Sequence, residues 1–534
     1  MESRREPLWI WLLVLAPFVG YLANAAWHIV NVPFWDDYPA LLEPINGIIG
    51  APATVSWLSR QHDAPLVVLF TPHGPHPFVI QRLVMLLQAW LGDVDFRTFI
   101  WLANLGWALT AATLVVYLRR ARTVPLWWLA PIPYLLLSTS HWESVDFATE
   151  SFQYYWGGGL FAVLAIILAE AGQGAAAGVF CGLSMLSFGG APALLLVVAA
   201  MLVGKRQWKP AAAFLVVVLV LIAPYLYYFG TPSSARLDGA NVTFAGRVGA
   251  MLGNPIGTTR YVLVFLGNYF TTGEYSLERF TRLFLISGSA VSLAAAGLAW
   301  KARRDIHLVS VPAALWVYVF GLASMAAMVR SGFAIAPRYS IQALLGAAAV
   351  YAGYAILATR SRPSAWATRL AGTFVVASVV YWSVTLYVTQ PLFRENRYQR
   401  TTSLARYVGG ELDGLRLLSS DANLADRILR RARELGVYDF SRVNLASIAP
   451  PEDRHTPADA HPNDPMPWSS LTDWQRLVLS VGEPVWSDIP VEVRRNMLAM
   501  ADRWTQTEAA DQWKMLNELR DYAGLPHVGP DADK

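Results

Sequence analysis

The chain has 534 residues, of which 55% are hydrophobic, 13% aromatic and 15% charged, a charged share well below the roughly 25% of soluble domains. That excludes a disordered chain and argues against a soluble enzyme. The net charge of +4 is no nucleic-acid footprint, because residues 1–389 carry 24 Lys and Arg against 16 Asp and Glu, while 390–534 carry 18 against 22.

A break near Pro391 therefore separates a membrane-like body (1–389) from a tail of water-soluble composition (390–534). Apolar runs near the length of about 20 residues that a spanning helix needs predict spans at 8–30, 98–118, 124–140, 156–171, 174–188, 190–204, 210–229, 280–300, 307–329, 340–358 and 366–389. The first follows Arg4 and Arg5, is too long for a signal-peptide core and lacks a small-residue cleavage pattern, so it reads as a retained span. Cys181 is alone, which leaves no intrachain disulfide or cysteine zinc site.

Five basic clusters agree on one orientation: Arg4/Arg5, Arg119/Arg120/Arg122, Lys205/Arg206/Lys209, Lys301/Arg303/Arg304 and Arg360/Arg362/Arg369 all fall where an alternating path meets the cytoplasm. The N-terminus is then inside and the tail outside, and residues 260–270 form an outer-surface or re-entrant helix. Of the body's acids only Glu2, Glu6, Glu170 and Asp305 lie inside. Carboxylate chemistry is accordingly expected on the outer face.

The first outer loop, Asn31 to Arg97, opens with Trp35-Asp36-Asp37-Tyr38-Pro39. Adjacent carboxylates ringed by aromatics suit a general base of raised pKa; equally, they suit an N-cap pair at a surface helix. Amphipathic pieces at 41–50 and 54–60 fit helices lying on the membrane, followed by His62-Asp63 and a Pro- and Gly-rich stretch holding His73 and His76. These two histidines are three apart, as metal ligands can be. The prolines and glycine oppose a helix there and no acid adjoins, so turn structure or substrate contact is the better reading.

Further on, Glu143, Asp146 and Glu150 alternate with Trp142, Phe147, Phe152, Tyr154, Tyr155 and Trp156, a mixture suited to sugar rings or, for the last three aromatics, to an interfacial belt. Arg330 and Arg338-Tyr339 place positive charge on the side opposite the basic clusters. Either an anionic phosphate accounts for them, with Arg236, Arg247 and Arg260 as possible additions, or they pair with Glu143 or Asp37. In the tail, Ala422 to Leu435 reads as an amphipathic helix, 449–467 as loops, and the final Gly-Pro-Asp-Ala-Asp-Lys as frayed.

An all-α polytopic membrane body of about eleven spans, a first outer loop opening on Trp35-Asp36-Asp37, an arginine-bearing outer loop at 330–339 and an extracytoplasmic, mainly helical C-terminal domain together resemble the GT-C class of membrane glycosyltransferases. The resemblance covers most of 1–389 as layout, while the tail matches nothing in that class. It implies a bacterial plasma-membrane enzyme that moves a sugar, with inversion, from a polyprenyl-phosphate carrier to a cell-envelope glycan, lipid or protein. Asp36 or Asp37 would be the base, Arg330, Arg338 and Tyr339 would hold the donor phosphate, and Trp35, His62, Asp63, His73, His76, Glu143, Asp146 and Glu150 would contact substrate. It leaves a divalent cation open, and the sequence itself marks no metal ligands. The competing reading is a transporter or flippase of lipid-linked intermediates; an internal repeat or charges inside the spans would favour it, and neither is visible.

Overall fold

The computed structural model describes residues 6–59, 61–74, 76–229, 244–269, 277–330, 335–360 and 364–440. The chain divides into two compact units, Met1–Ala449 and Pro450–Lys534. The second unit, the loops expected at 449–467 and the C-terminal residues lie outside the described part.

Among the described residues every named element is helical. In chain order they are α1 (Leu8–His28), a π-helical turn (Asp37–Leu42) running into α2 (Glu43–Ile49), α3 (Pro65–Phe70), α4 (Val79–Leu91) and α5 (Phe96–Ala121). Then come α6 (Leu126–Leu136), α7 (Ala148–Glu170), α8 (Gly174–Met185) and α9 (Ala191–Gly204). The remainder are α10 (Trp208–Phe229), α11 (Phe244–Gly253), α12 (Pro255–Leu266), α13 (Leu277–Ala302), α14 (Ser310–Arg330), α15 (Ser340–Arg360), α16 (Ala365–Val408) and α17 (Ala422–Glu434).

Eight of these, α1, α5, α7, α10, α13, α14, α15 and α16, are long and apolar enough to cross a membrane. The other three expected spans are shorter helices, α6, α8 and α9. The 12 residues of α8 and 14 of α9 rise only about 18–21 Å, short of a hydrocarbon core about 30 Å thick. They form a hairpin whose tip is bound by α4: Val79 N donates to Leu186 O at 2.9 Å and Gln81 Nε2 to Ser187 O at 2.9 Å.

Glycines set how closely these helices approach. Gly174, Gly178 and Gly182 recur every four residues along α8 and face α10, where a Cβ would meet Pro210, the Phe214 carbonyl and Leu221 respectively; small residues at this spacing let two backbones touch. In α7, Gly157 and Gly159 sit where a Cβ would come within 2.9 Å of Phe188 and of Trp107. The backbone there widens into π geometry over Gln153–Leu160, and two carbonyls gain outside donors, Ser184 Oγ to Gly157 O at 2.7 Å and Tyr318 OH to Gly158 O at 3.2 Å.

Charge is sorted between the two ends of the helices. Of the acids assigned above to the cytoplasmic side, the three among the described residues find bases of that side: Glu6 with Arg119 at 2.8 Å, Glu170 with Arg122 at 2.8 Å and Lys205 at 2.5 Å, and Asp305 with Arg360 at 2.6 Å; Glu2 lies outside the described residues. At the other helix ends, Asp36, Glu143, Asp146 and Glu150 meet His73, Arg338 and Arg400.

The compositional break at 390 falls inside a helix. α16 has 44 residues with Pro391 within it, about 66 Å in all. Its polar half is tied to α1 by Gln390 Nε2 to Asn24 Oδ1 at 2.6 Å, Arg397 Nη1 to Trp27 O at 2.7 Å, and the His28 and Phe393 rings stacked at 5.1 Å. Phe393, Leu404, Leu415, Leu418 and Leu429 belong to the same core as Tyr38, Leu41 and Leu42 of the first outer loop. Each such fully buried side chain contributes about 1.5–3 kcal/mol. Residues 390–440 therefore belong to the first unit. Composition registers the change of solvent along the chain, not the limit of the packed body.

Candidate active site

The loop after α1 makes a tight turn at Trp35, which takes the left-handed φ of 47°, a conformation costly for a large side chain. Its amide donates to Leu418 O at 2.6 Å. The turn sends the two following carboxylates into different surroundings.

Asp37 is fully buried. Its Oδ2 accepts from Phe34 N at 3.0 Å and its Oδ1 accepts from both Thr149 N at 2.8 Å and Thr149 Oγ1 at 2.9 Å. Burial pushes its pKa up to about 7, against the pull of the Thr149 and Phe34 bonds and the Arg400 charge. This residue clamps the loop to the start of α7 and presents no face to a substrate.

Asp36 is half-exposed, at 54%, with Oδ1 3.6 Å from His73 Nε2. Burial raises its pKa, yet the bond to His73 together with the charges of His73, Arg338 and His76 outweighs this and holds the carboxyl below its usual range. His73 is fixed by a two-residue turn in which the His73 and His76 amides bond each other's carbonyls at 2.9 and 3.1 Å, with Gly74 at φ 56°. His76 Nδ1 lies 2.6 Å from Gln153 Nε2 of α7. Among the described residues no group of three or more His, Cys, Asp or Glu could hold a metal ion.

Beside this pair, the short helical turn Pro337–Tyr339 presents Arg338, 17% exposed. Its Nη1 meets Glu143 Oε1 at 2.9 Å and its Nε meets Glu150 Oε1 at 3.4 Å. Of the two origins weighed for this arginine, pairing with Glu143 is present, and Glu150 joins it. The Tyr339 ring packs on Phe265 at 5.2 Å and near Tyr154 at 6.4 Å. Arg330 ends α14, with its side chain outside the described residues; Arg236 and the Arg247 side chain are also outside them.

Asp146 is buried against Arg400, with Oδ1 3.2 Å from Nη2 and the Asp146 carbonyl 2.5 Å from Nη1. Its carboxylate is thus engaged with the protein rather than open to a ligand. Arg400 also lies 4.2 Å over the Phe34 ring, which ties α16 to the turn that carries Asp36. Sequence reading passed over Arg400, because it stands among the solvated arginines that follow the charge break. Thr149 and Gln153 carried no signal either. His62 and Asp63 are exposed on the turn before α3, and Trp35 is half-exposed at the mouth of the cluster.

A family model described as a protein of unknown function (DUF3106) matches residues 468–529, within the second unit. No curated protein and no solved structure matches the chain.

Proposed function

We propose that this chain is a polytopic membrane glycosyltransferase that moves a sugar from a polyprenyl-phosphate carrier to an envelope glycan, lipid or protein. In this reading the chain crosses a bacterial plasma membrane, the paired bases and acids of the Arg119, Arg122, Lys205 and Arg360 end face the cytoplasm, and the Asp36 cluster faces outward. A phosphatase fused at Lys534 is then active; a cytoplasmic reporter signal from that position reverses the assignment.

The observation that carries the reading is the division of labour between neighbouring carboxylates: Asp37 is consumed by the fold, and Asp36 is left half-exposed, ionised and beside His73. In the proposed step Asp36 takes the proton of the acceptor hydroxyl, the freed oxygen attacks the anomeric carbon from the opposite face, and the C1–O bond breaks with its electron pair going to the polyprenyl phosphate. The departing phosphate needs electrostatic stabilisation more than a proton. In this reading Arg338 and Arg330 supply it.

Purified protein incubated with polyprenyl-phosphate sugars and envelope acceptors tests the proposal. Transfer should be lost in Asp36→Ala and strongly reduced in Arg338→Ala. Full activity in Asp36→Ala removes the base. Labelled lipid crossing a proteoliposome bilayer, with no donor consumed, replaces the enzyme by a transporter.

A further inference from the structure

The polar and apolar sides of α4 are inverted relative to a helix that meets water. Its exposed residues are Leu83, Leu87, Trp90 and Leu91, one stripe between 43% and 81% exposed, while Gln81 and Arg82 are buried. A helix lying flat on a protein or a membrane keeps polar side chains on its open side, and α4 has none there. Arg82 instead turns inward, its Nε donating to Ala40 O at 2.9 Å and its Nη1 to Val68 O at 3.2 Å, Leu69 O at 3.0 Å and Thr71 O. Charged groups at membrane depth are satisfied in this way, facing the protein and bonded to backbone carbonyls.

The depth of α4 follows from α7. At one end of α7, Glu170 pairs with Arg122 and Lys205. Gly157 lies 13 residues back along the same helix, about 20 Å, and its carbonyl accepts from Ser184 Oγ beside the tip of the α8–α9 hairpin. The start of α4 is bonded to that tip at Leu186 and Ser187. It therefore stands about 10 Å inside a hydrocarbon core about 30 Å thick. From there α4 returns toward Phe96, where α5 begins and the Phe96 amide donates to Asn31 Oδ1, just past the end of α1. Its 13 residues rise about 20 Å, enough to regain the boundary on an incline.

We propose that α4 is a re-entrant helix inserted in the leaflet on the Asp36 side, with Leu83, Leu87 and Leu91 packed by lipid acyl chains and Trp90 at the headgroup boundary. It completes the crossing that α8 and α9 leave short. The hairpin itself exposes Val179, Leu196 and Val203, so lipid-facing side chains recur from the hairpin to α4. The turn that carries His73 and His76 immediately precedes α4, and the Asp36 cluster thus borders this leaflet. The inference rests on the bilayer crossing and not on the transfer chemistry.

Nitroxide labels at Leu83→Cys, Leu87→Cys and Leu91→Cys, each in the full chain in phospholipid nanodiscs, test it. Cys181 is buried, so the label goes to the introduced thiol. Collisions with oxygen, which dissolves among acyl chains, are compared with collisions with a water-soluble nickel chelate. Leu12→Cys on α1, 59% exposed, serves as the lipid reference, and Asp413→Cys, whose native side chain is 66% exposed, as the aqueous one. The oxygen-to-nickel ratio at 83 and 87 should match that at 12, exceed that at 413 by at least about tenfold, and decline toward 91. Ratios at 83 and 87 equal to that at 413 overturn the proposal. Equal, lipid-like ratios at all three positions mean a helix flat in the interface and overturn the re-entrant path. Protection from both reagents places protein, not lipid, over the stripe and overturns it as well.

Discussion

Asp37 and Thr149 are joined twice, the carboxylate Oδ1 accepting from the threonine amide at 2.8 Å and from its hydroxyl at 2.9 Å. This double bond of contacts fastens the first outer loop to the helix that also carries Glu150 and Gln153. Replacing Thr149 by Val keeps the shape and the amide but removes the hydroxyl donor, and should cost about 1–2 kcal/mol, read as a lowered melting temperature.

The same carboxylate gives the fold a pH dependence of definite sign. Asp37 titrates near 7 in the native chain and near 3.9 when unfolded, so between those values the native state holds a proton that the unfolded state has released. Its contribution is present below about pH 4 and is lost as pH rises through about 7. Thermal unfolding between pH 5 and 8 should therefore show stability declining, and Asp37→Asn should flatten the decline. An unaltered slope in that variant would exclude Asp37 as its source.

His73 lowers the pKa of Asp36, so removing it raises that pKa. In His73→Ala the acidic limb of the kcat/KM profile should move to higher pH, because the proposed base stays protonated longer. A profile that keeps its limb while its height falls would mean His73 contacts substrate without tuning the base.

Arg400 and Asp146 form a buried pair, each under 5% exposed. Arg400→Ala leaves a carboxylate buried without its partner, an arrangement that typically costs about 3–5 kcal/mol. Adding Asp146→Asn should restore part of the loss. If the double variant is no more stable than Arg400→Ala, the pair is not the source.

On α8, Gly178→Leu places a side chain where even a Cβ would lie 2.8 Å from the Phe214 carbonyl. The helices must part, and overpacking of this kind costs about 1–3 kcal/mol. Gly204→Ala, with open space around it, serves as the neutral control.

The helical class and the helix order were legible in the sequence, because apolar runs and basic flanks are written locally. Residues 8–28, 96–121 and 340–360 fall within a few positions of the expected 8–30, 98–118 and 340–358. The α8–α9 hairpin was not legible: its apolar runs resemble two spans, and only the contacts from Val79 and Gln81 show where it stops. At the site, the types Asp36, Asp37, Glu143 and Arg338 stood out as charges in an apolar chain. Which carboxylate is sealed and which is open depends on Thr149 and His73, 112 and 37 positions away, and no local pattern encodes that. Arg400 escaped for the opposite reason, since a buried arginine in a charged stretch looks like its exposed neighbours.

The 44-residue helix α16 passes from the apolar body into the polar segment that holds Arg400 against Asp146. Arg400 follows Thr389, the end of the apolar half, by eleven residues of this helix, roughly 16 Å of rise, so a tilt of about 10° in that half would carry the guanidinium about 3 Å sideways. The turn bearing Phe34 and Asp36 is stacked on that guanidinium. A change in the tilt of α16 would therefore reach the turn that carries Asp36 through this stacked guanidinium.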